Sequence, residues 1–326
     1  MTCDPAARCP TFELFLQRVL PDPDVRDFLQ RFFGYALTGD VREDLVVVLC
    51  GNGQNGKSTL VDAVIEVMGD YGNAVPSTLL VAEGSAERHP TEVATLRGLR
   101  LAATFETEGE HRLREALLKQ LTGGDRLTAR VMRGDFFTFA PTHKLILSTN
   151  HRPRVRGTDT AVWRRLRMVP FAVEISEAEQ DKDLGTKLRA EQSGILRWLV
   201  EGCLKWQRNG LGAPRAVISA TNEYRSSEDA VAMFVAEECL PAAEVIVESK
   251  LLYGCFRQWF EKSYPGERAP SKTGFGAELR RRGLRSGKSG ARRYWIGLQP
   301  AAFQPAAVGE VTSWGEREQL PNLVID

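Results

Sequence analysis

The sequence has no long apolar run. None of its hydrophobic stretches approaches the roughly eighteen residues that a membrane-crossing helix needs. The N-terminus shows no basic-then-apolar leader pattern. A soluble, non-exported protein with no membrane partner is therefore expected. The six cysteines (Cys3, Cys9, Cys50, Cys203, Cys239 and Cys255) form no C-x-x-C pair. Three of them fall in apolar or helical patterns, where a buried free thiol is the default. That scatter argues against a zinc site or a disulfide framework and for a reducing cytoplasm. No internal repeat is visible. There is also no excess of charge of either sign, since the formal net charge is +1 over 326 residues.

The near-zero charge conceals an uneven distribution. Between Ser271 and Arg293 stand eight basic residues and one acid, about +7, which leaves about −6 for the rest of the chain. A basic patch on a near-neutral chain favours nucleic-acid binding over a generic solvated face. Hydrophobic content of 43% and charged content of 26% are ordinary for a globular protein, and the length allows two or three domains.

The strongest local signal is Gly51-Asn52-Gly53-Gln54-Asn55-Gly56-Lys57-Ser58, followed by Thr59. It fits G-x-x-x-x-G-K-[ST], the phosphate-binding loop of P-loop NTPases. Its flanks agree. Leu45 to Cys50 is a short apolar, β-branched run, as a buried parallel strand requires. Leu60, Val61, Val64, Ile65 and Met68 then recur at helical spacing. Glycines let backbone N–H groups close around phosphate oxygens, and the helix N-terminus favours their charge. Lys57 is expected to reach the β- and γ-phosphates of ATP and the Ser58 hydroxyl to hold Mg²⁺.

Elsewhere, residues 11–39 predict two short helices, the second capped by Asp24 and ended by Gly39-Asp40. A short helix and a loop are expected over 77–87 and another helix over 91–96. Arg100 to Phe105 reads as a second core strand and Leu113 to Leu121 as a helix. A hairpin is expected around Arg133-Gly134-Asp135. Lys144 to Thr149 reads as a third core strand. A short helix with paired arginines is expected over 161–167, and a long helical stretch over 184–207, where interior Gly194 and Gly202 argue against one unbroken helix. Helix follows over 216–240. Three helices and a basic strand pair are expected over 243–298, and a tail over 299–326.

Glu106 and Glu108 follow the second core strand, where a P-loop enzyme needs an acid to hold Mg²⁺ and activate water. Asn150 ends the third core strand, where its side chain would meet the γ-phosphate or the attacking water; a turn residue before Pro153 is the alternative. Arg164 and Arg165 are candidates for a guanidinium donated to the transition state across a subunit boundary. Paired helical arginines serve more often as surface charge.

These pieces resemble, in order, the superfamily 3 helicase domain of phage and plasmid primase-helicases and their poxvirus-type relatives. The matching segments are FFGYALTGD (32–40), GNGQNGKST (51–59), ETEG (106–109), LLKQLTGGDRLTAR (117–130), PTHKLILSTNHRPRVRGTD (141–159), AVWRRLRMVPF (161–171) and DKDLGTKL (181–188). Together they cover about residues 11–240. The resemblance implies an α/β AAA+ P-loop NTPase with a central parallel sheet. It implies Glu106 and Glu108 as the acidic pair, with Glu106 on the metal, Asn150 as sensor, and Arg164 or Arg165 as arginine finger. The acids stand as E-T-E where simpler members have adjacent acids, so the division of roles between them stays open. Lys119, Arg130 and Arg133 fall in the segment that faces a central channel in that family, so they are candidates for DNA phosphates; solvated hairpin charge is the alternative for the arginines. The end of the chain resembles the family's winged-helix module, with Arg280, Arg281 and Arg292 as DNA-binding candidates.

The expected organisation is a helical collar-like subdomain (1–44), an AAA+ core (45–212), a connector with a winged-helix-like module (213–298) and a tail (299–326). The expected function is an ATP-dependent replicative DNA helicase. It would form a hexameric ring on single-stranded or forked DNA in the cytoplasm of a bacterial host or virus-infected cell, with a primase or other replication protein as a further partner. Family members often carry an upstream primase domain, for which 326 residues leave no room, so a stand-alone helicase or a piece of a longer chain is expected. The alternative is a replication initiator or loader that uses ATP to assemble without unwinding. A small-molecule P-loop kinase would need a lid and an acceptor site, against which the hairpin and basic tail argue.

Overall fold

The computed structural model describes residues 4–82, 90–105, 112–155, 160–265, 269–290, 292–301 and 324–325. They divide into two compact units, 1–225 and 226–326.

The first unit opens with α1 (Pro10–Val19) and α2 (Pro23–Ala36), each with proline in the first turn. Proline fits there because the first helical N–H groups have no intrahelical acceptor. Asp22 rather than Asp24 caps α2: its carboxylate accepts from the Asp24 N–H, and Pro23 takes the first helical position. No side chain beside α1 caps it. Glu191, 180 positions away, accepts from the Thr11 and Phe12 N–H groups instead, at 3.0 Å each.

Next come β1 (Val46–Cys50), α3 (Lys57–Met68), the short β2 (Gly72–Ala74), β3 (Val81–Ala82), α4 (Pro90–Ala94) and β4 (Leu101–Phe105). Then follow β5 (Arg112–Leu113), α5 (Glu115–Thr122) and the hairpin of β6 (Leu127–Arg130) and β7 (Phe136–Phe139). After these come β8 (Lys144–Thr149), α6 (Thr160–Trp163), β9 (Leu166–Pro170), α7 (Leu184–Ala190), α8 (Gln192–Asn209) and α9 (Arg215–Ser227). Five of the strands make a parallel sheet in the order β2-β4-β8-β1-β9. Side chains alternate across it. Val47, Leu49, Ala103 and Ile146 pack with α1, α2, α3 and α8; Val46, Val48, Leu145 and Leu147 pack with α4, α5, α6 and Tyr224 of α9. With both faces covered, the central strands read as unbroken apolar runs.

The edge strands depart from the sequence reading. The helix expected over 161–167 stops at Trp163, and Leu166–Pro170 is a strand beside β1. The stretch over 184–207 is two helices that part at Glu191. Gly194 and Gly202 do not break α8. They are its contact points: a Cβ on Gly202 would lie 2.0 Å from the Gln30 carbonyl oxygen of α2.

The second unit holds α10 (Ala230–Glu238), β10 (Cys239–Glu248), α11 (Ser249–Ser263), α12 (Lys272–Arg281), β11 (Arg285–Ser289), β12 (Arg292–Pro300) and β13 (Val324–Ile325). Its antiparallel sheet runs β10-β12-β11-β13. Among the described residues two helices, not three, lie between 243 and 298, and Cys239–Glu248 is strand where helix was expected up to residue 240. Pro241 is tolerated because β10 is an edge strand, and the register shifts after Ala242. The core is aromatic: Phe234, Phe256, Trp259, Phe275 and Trp295 are all buried.

Candidate functional site

A parallel sheet brings the carboxyl ends of its strands to one edge, where open α/β folds place their ligands. β1 ends there at Cys50, β8 at Thr149 and β4 at Phe105. β8 lies between β1 and β4, so the acid-bearing strand is not the immediate neighbour of the loop strand. Glu106 and Glu108, which continue from Phe105, lie outside the described residues.

From Cys50 the chain loops through Gly51–Gly56 into α3. Gly56 adopts φ +81°, a left-handed conformation that favours glycine. α1 packs directly on it, so that a Cβ there would come within 2.8 Å of Val19 and 2.9 Å of Phe15. The loop is also pinned from β9 and beyond. The Asn55 amide donates to the Phe171 carbonyl at 3.3 Å, and the Ile175 N–H donates to the Gln54 carbonyl at 2.8 Å. Asn52, Gln54 and Ser58 are exposed, Gly53 is open on its Cβ side, and Thr59 is partly covered.

Lys57 begins α3 and is only 4% exposed. Its Nζ donates to the Gly51 carbonyl at 2.6 Å, to Asn55 Oδ1 at 2.9 Å and to Asn150 Oδ1 at 3.2 Å. All three acceptors are neutral. Burial pulls the Lys57 ammonium below the usual lysine range. A buried cation met only by dipoles fits a site that takes an anion, since an adjacent negative charge would restore the charged form. Among the described residues no three-member cluster of metal-ligating side chains occurs.

A cavity of about 780 Å³ adjoins the loop. Gln54, Gly56, Thr59 and Asp62 form one wall, with Phe15 and Arg18 of α1 and Ile175 and Leu184 on the others. Its size is that of a small-ligand site, and charged side chains, among them Asp62, Glu66, Glu179 and Asp181, share its walls with the apolar ones. Asp62 sits beside Glu66, and burial raises its pKa. Sequence reasoning missed this wall. Phe15 reads as one apolar residue of an amphipathic helix, and only the fold carries α1 to the loop.

The paired arginines part company. Arg165 is buried, its Nε donating to Thr122 Oγ1 at 3.0 Å and its Nη1 to the Ala161 carbonyl at 2.8 Å. Arg164 is exposed. Lys119 lies half-buried in the last turn of α5. Arg130 and Arg133 share the β6–β7 hairpin. Arg130 donates to the Gly134 carbonyl at 2.8 Å and lies 5.5 Å from the Phe136 ring centre. Arg133 occupies the turn with φ +59°. Val131, Met132 and Phe136 beside them are exposed, Met132 at 76%. In the second unit Arg281 pairs with Glu278 at 2.9 Å and with Asp229 at 3.7 Å, whereas Arg280 and Arg292 are exposed without a carboxylate partner among the described residues.

Residues 49–165 match a family of unknown function, DUF5906. A protein of Acanthamoeba polyphaga mimivirus named as a "putative helicase" is 27% identical over 273 residues, covering 78% of this chain and 28% of its own length. A "putative helicase" of Frog virus 3 is 26% identical over 77% of this chain and 28% of its own length. A "putative primase" of African swine fever virus is 24% identical over 75% of this chain and 28% of its own length. The chain thus spans under a third of the curated relatives it matches. Among solved structures, the C-terminal region of NrS-1 superposes with a TM-score of 0.61 at 11% identity, over 91% of this chain and 78% of that one, so the two share a fold. These matches bear out the resemblance to phage and viral primase-helicases. No helix among the described residues is long and apolar enough to cross a membrane.

Proposed function

We propose that this chain is the motor part of an ATP-dependent replicative DNA helicase that works as a hexameric ring on single-stranded DNA. The observation that carries the reading is the meeting of Lys57 with Asn150, 3.2 Å apart at the carboxyl edge of the parallel sheet. In this reading the loop 51–59 wraps the phosphates and the cavity takes the nucleoside. Lys57 exchanges its amide acceptors for phosphate oxygens. Asn150, released from Lys57, orients the attacking water. Ser58 and Glu106 are the residues that would hold Mg²⁺, which when bound neutralises charge on the phosphates. Glu106 or Glu108 accepts the water's proton. Arg164, exposed and uncommitted to this chain's core, reaches the γ-phosphate of a neighbouring subunit; Arg165 holds the turn that presents it.

Arg130 and Arg133 present the hairpin to a strand in the ring channel. Such contacts are independent of sequence and weaken with salt. Lys119 assists from α5. The basic second unit, a winged-helix-like module in this reading, grips duplex or forked DNA through Arg280 and Arg292, while the acids beside Arg281 spend much of its charge. The same basic unit favours the second reading, an initiator or loader that uses ATP to assemble on DNA.

Unwinding of a forked duplex at saturating ATP separates the two. The helicase reading expects ATP-dependent unwinding that Lys57→Ala abolishes. It also expects Arg130→Ala/Arg133→Ala to hydrolyse ATP but unwind poorly. ATP-driven assembly on DNA with no strand separation would replace it by the loader reading.

A further inference from the structure

The second unit contains a cavity that the motor reading does not use. It measures about 300 Å³ and lies between the first turns of α11 and α12 and the β11–β12 hairpin. Four cations line it: Lys272, Arg280, Lys288 and Arg293. No carboxylate is among the described residues that line it, and none of the four cations has a carboxylate partner there. This is selective. Arg281 and Arg282, on the same helix, are both neutralised by Asp229 and Glu278. Acids thus quench the arginines away from the cavity and leave those facing it charged.

Two further features suit an anion. Hydroxyls of Ser249, Thr273 and Ser286 line the same space, and Thr273 lies in the first turn of α12, whose N-terminus carries partial positive charge. Trp295 also lines the cavity and is 3% exposed. Its indole N–H has no hydrogen-bond partner among the described residues. A buried donor left unmet costs free energy, so an acceptor oxygen within its reach would be favoured. Gly276 lies against this ring, a Cβ there being 3.3 Å from it.

We propose that this cavity binds a terminal phosphate, the dianionic phosphomonoester of a strand end or a free nucleotide. A continuous backbone phosphate carries one charge and is met by a surface stripe. A terminal phosphate carries about two charges and three acceptor oxygens. It can enter a concave site and use several cations, the hydroxyls and the indole N–H together, with the Trp295 and Tyr294 rings beside the attached nucleoside. The inference stands independently of the motor's activity, because it concerns only the second unit's own residues.

The test is binding of fluorescent single-stranded 12-mers to the intact chain carrying Lys57→Ala, which removes the other phosphate site from the measurement. The 12-mers bear a 5′-phosphate, a 3′-phosphate or hydroxyls at both ends, and deoxythymidine monophosphate is the competitor. A terminal phosphate is expected to tighten binding about tenfold or more, as several charge-assisted hydrogen bonds would. Lys288→Ala/Arg293→Ala should erase that difference while leaving the hydroxyl-ended strand's affinity nearly unchanged. Trp295→Phe keeps an aromatic ring, though a smaller one, and removes the donor, and should reduce the difference several-fold. Lys272→Gln, at an exposed position, repeats the test should the double variant fold poorly. Competition by the mononucleotide assigns the site to free nucleotides; a strand effect without such competition assigns it to strand ends. Equal affinity for all three strands together with no mononucleotide binding would overturn the proposal and leave the cavity as part of a general basic surface.

Discussion

Arg164 meets solvent and Arg165 does not, though they are neighbours on one turn. Arg164→Ala should therefore leave thermal stability and ATP binding intact while lowering hydrolysis by about a thousandfold, the scale of a lost arginine finger. Arg165→Ala strips two hydrogen bonds from a buried turn and should cost about 1–3 kcal/mol in urea unfolding. Full hydrolysis by Arg164→Ala would end the assignment. Lys144 offers a pH signature at the other end of β8. Its ammonium is buried, donates to the Thr38 and Thr142 carbonyls and sits 4.5 Å from the Tyr35 ring centre. Burial pushes its pKa from 10.5 down to about 7. The folded pKa lies below the unfolded one, so between these values the unfolded chain holds the extra proton and stability rises with pH. Relative to Lys144→Met, the wild type should gain up to about 2 kcal/mol between about pH 7 and pH 9. A pH-independent difference in urea unfolding would show that the lysine keeps its ordinary affinity for protons.

Elements succeed or fail here by how closely they approach one another. α2 and α8 meet backbone to backbone, with a Cβ on Gly34 predicted 2.1 Å from the Cys203 nitrogen and one on Gly202 2.0 Å from the Gln30 oxygen. Gly202→Ala should therefore destabilise by about 1–3 kcal/mol, at the upper end because backbone cannot swing aside. Gly254→Ala in α11 meets open space and should stabilise by about 0.5–1 kcal/mol. Equal effects in urea unfolding would mean that helix propensity, not packing, governs both. The same contrast explains what was legible in advance. β1, β4 and β8 are covered on both faces, so their apolar runs declare them. β2, β9 and β10 are edge strands, and Gly72-Asn73-Ala74, Arg167 and Pro241 hide them because an edge tolerates residues that a centre excludes. The loop 51–58 is legible because its chemistry is local. The cavity wall from α1, the division of Arg164 from Arg165 and the unmet Trp295 donor depend on residues distant in sequence, which no local pattern encodes.

At the scale of the whole molecule, the proposed motor lacks something that a single chain does not supply. Lys57 and Asn150 lie together and the cavity adjoins their loop, yet the exposed arginine belongs in this reading to the next subunit's site. A shared site has a consequence that a self-contained one does not. Lys57→Ala chains keep Arg164 but have no working loop, and Arg164→Ala chains keep the loop but offer no arginine. Each should be nearly inactive alone. Mixed in equal amounts they form rings in which some boundaries join an intact loop to an intact arginine, about a quarter of all boundaries if cyclic assembly is random. ATPase activity should therefore reappear on mixing, at up to about a quarter of the wild-type rate, and should grow with protein concentration as rings form. Single-stranded DNA should raise it further, because the strand in the channel favours the assembled state. A mixture that stays silent, although both variants assemble as the wild type does, would place the missing cation within the same chain. The ring would then be a matter of DNA binding and not of hydrolysis.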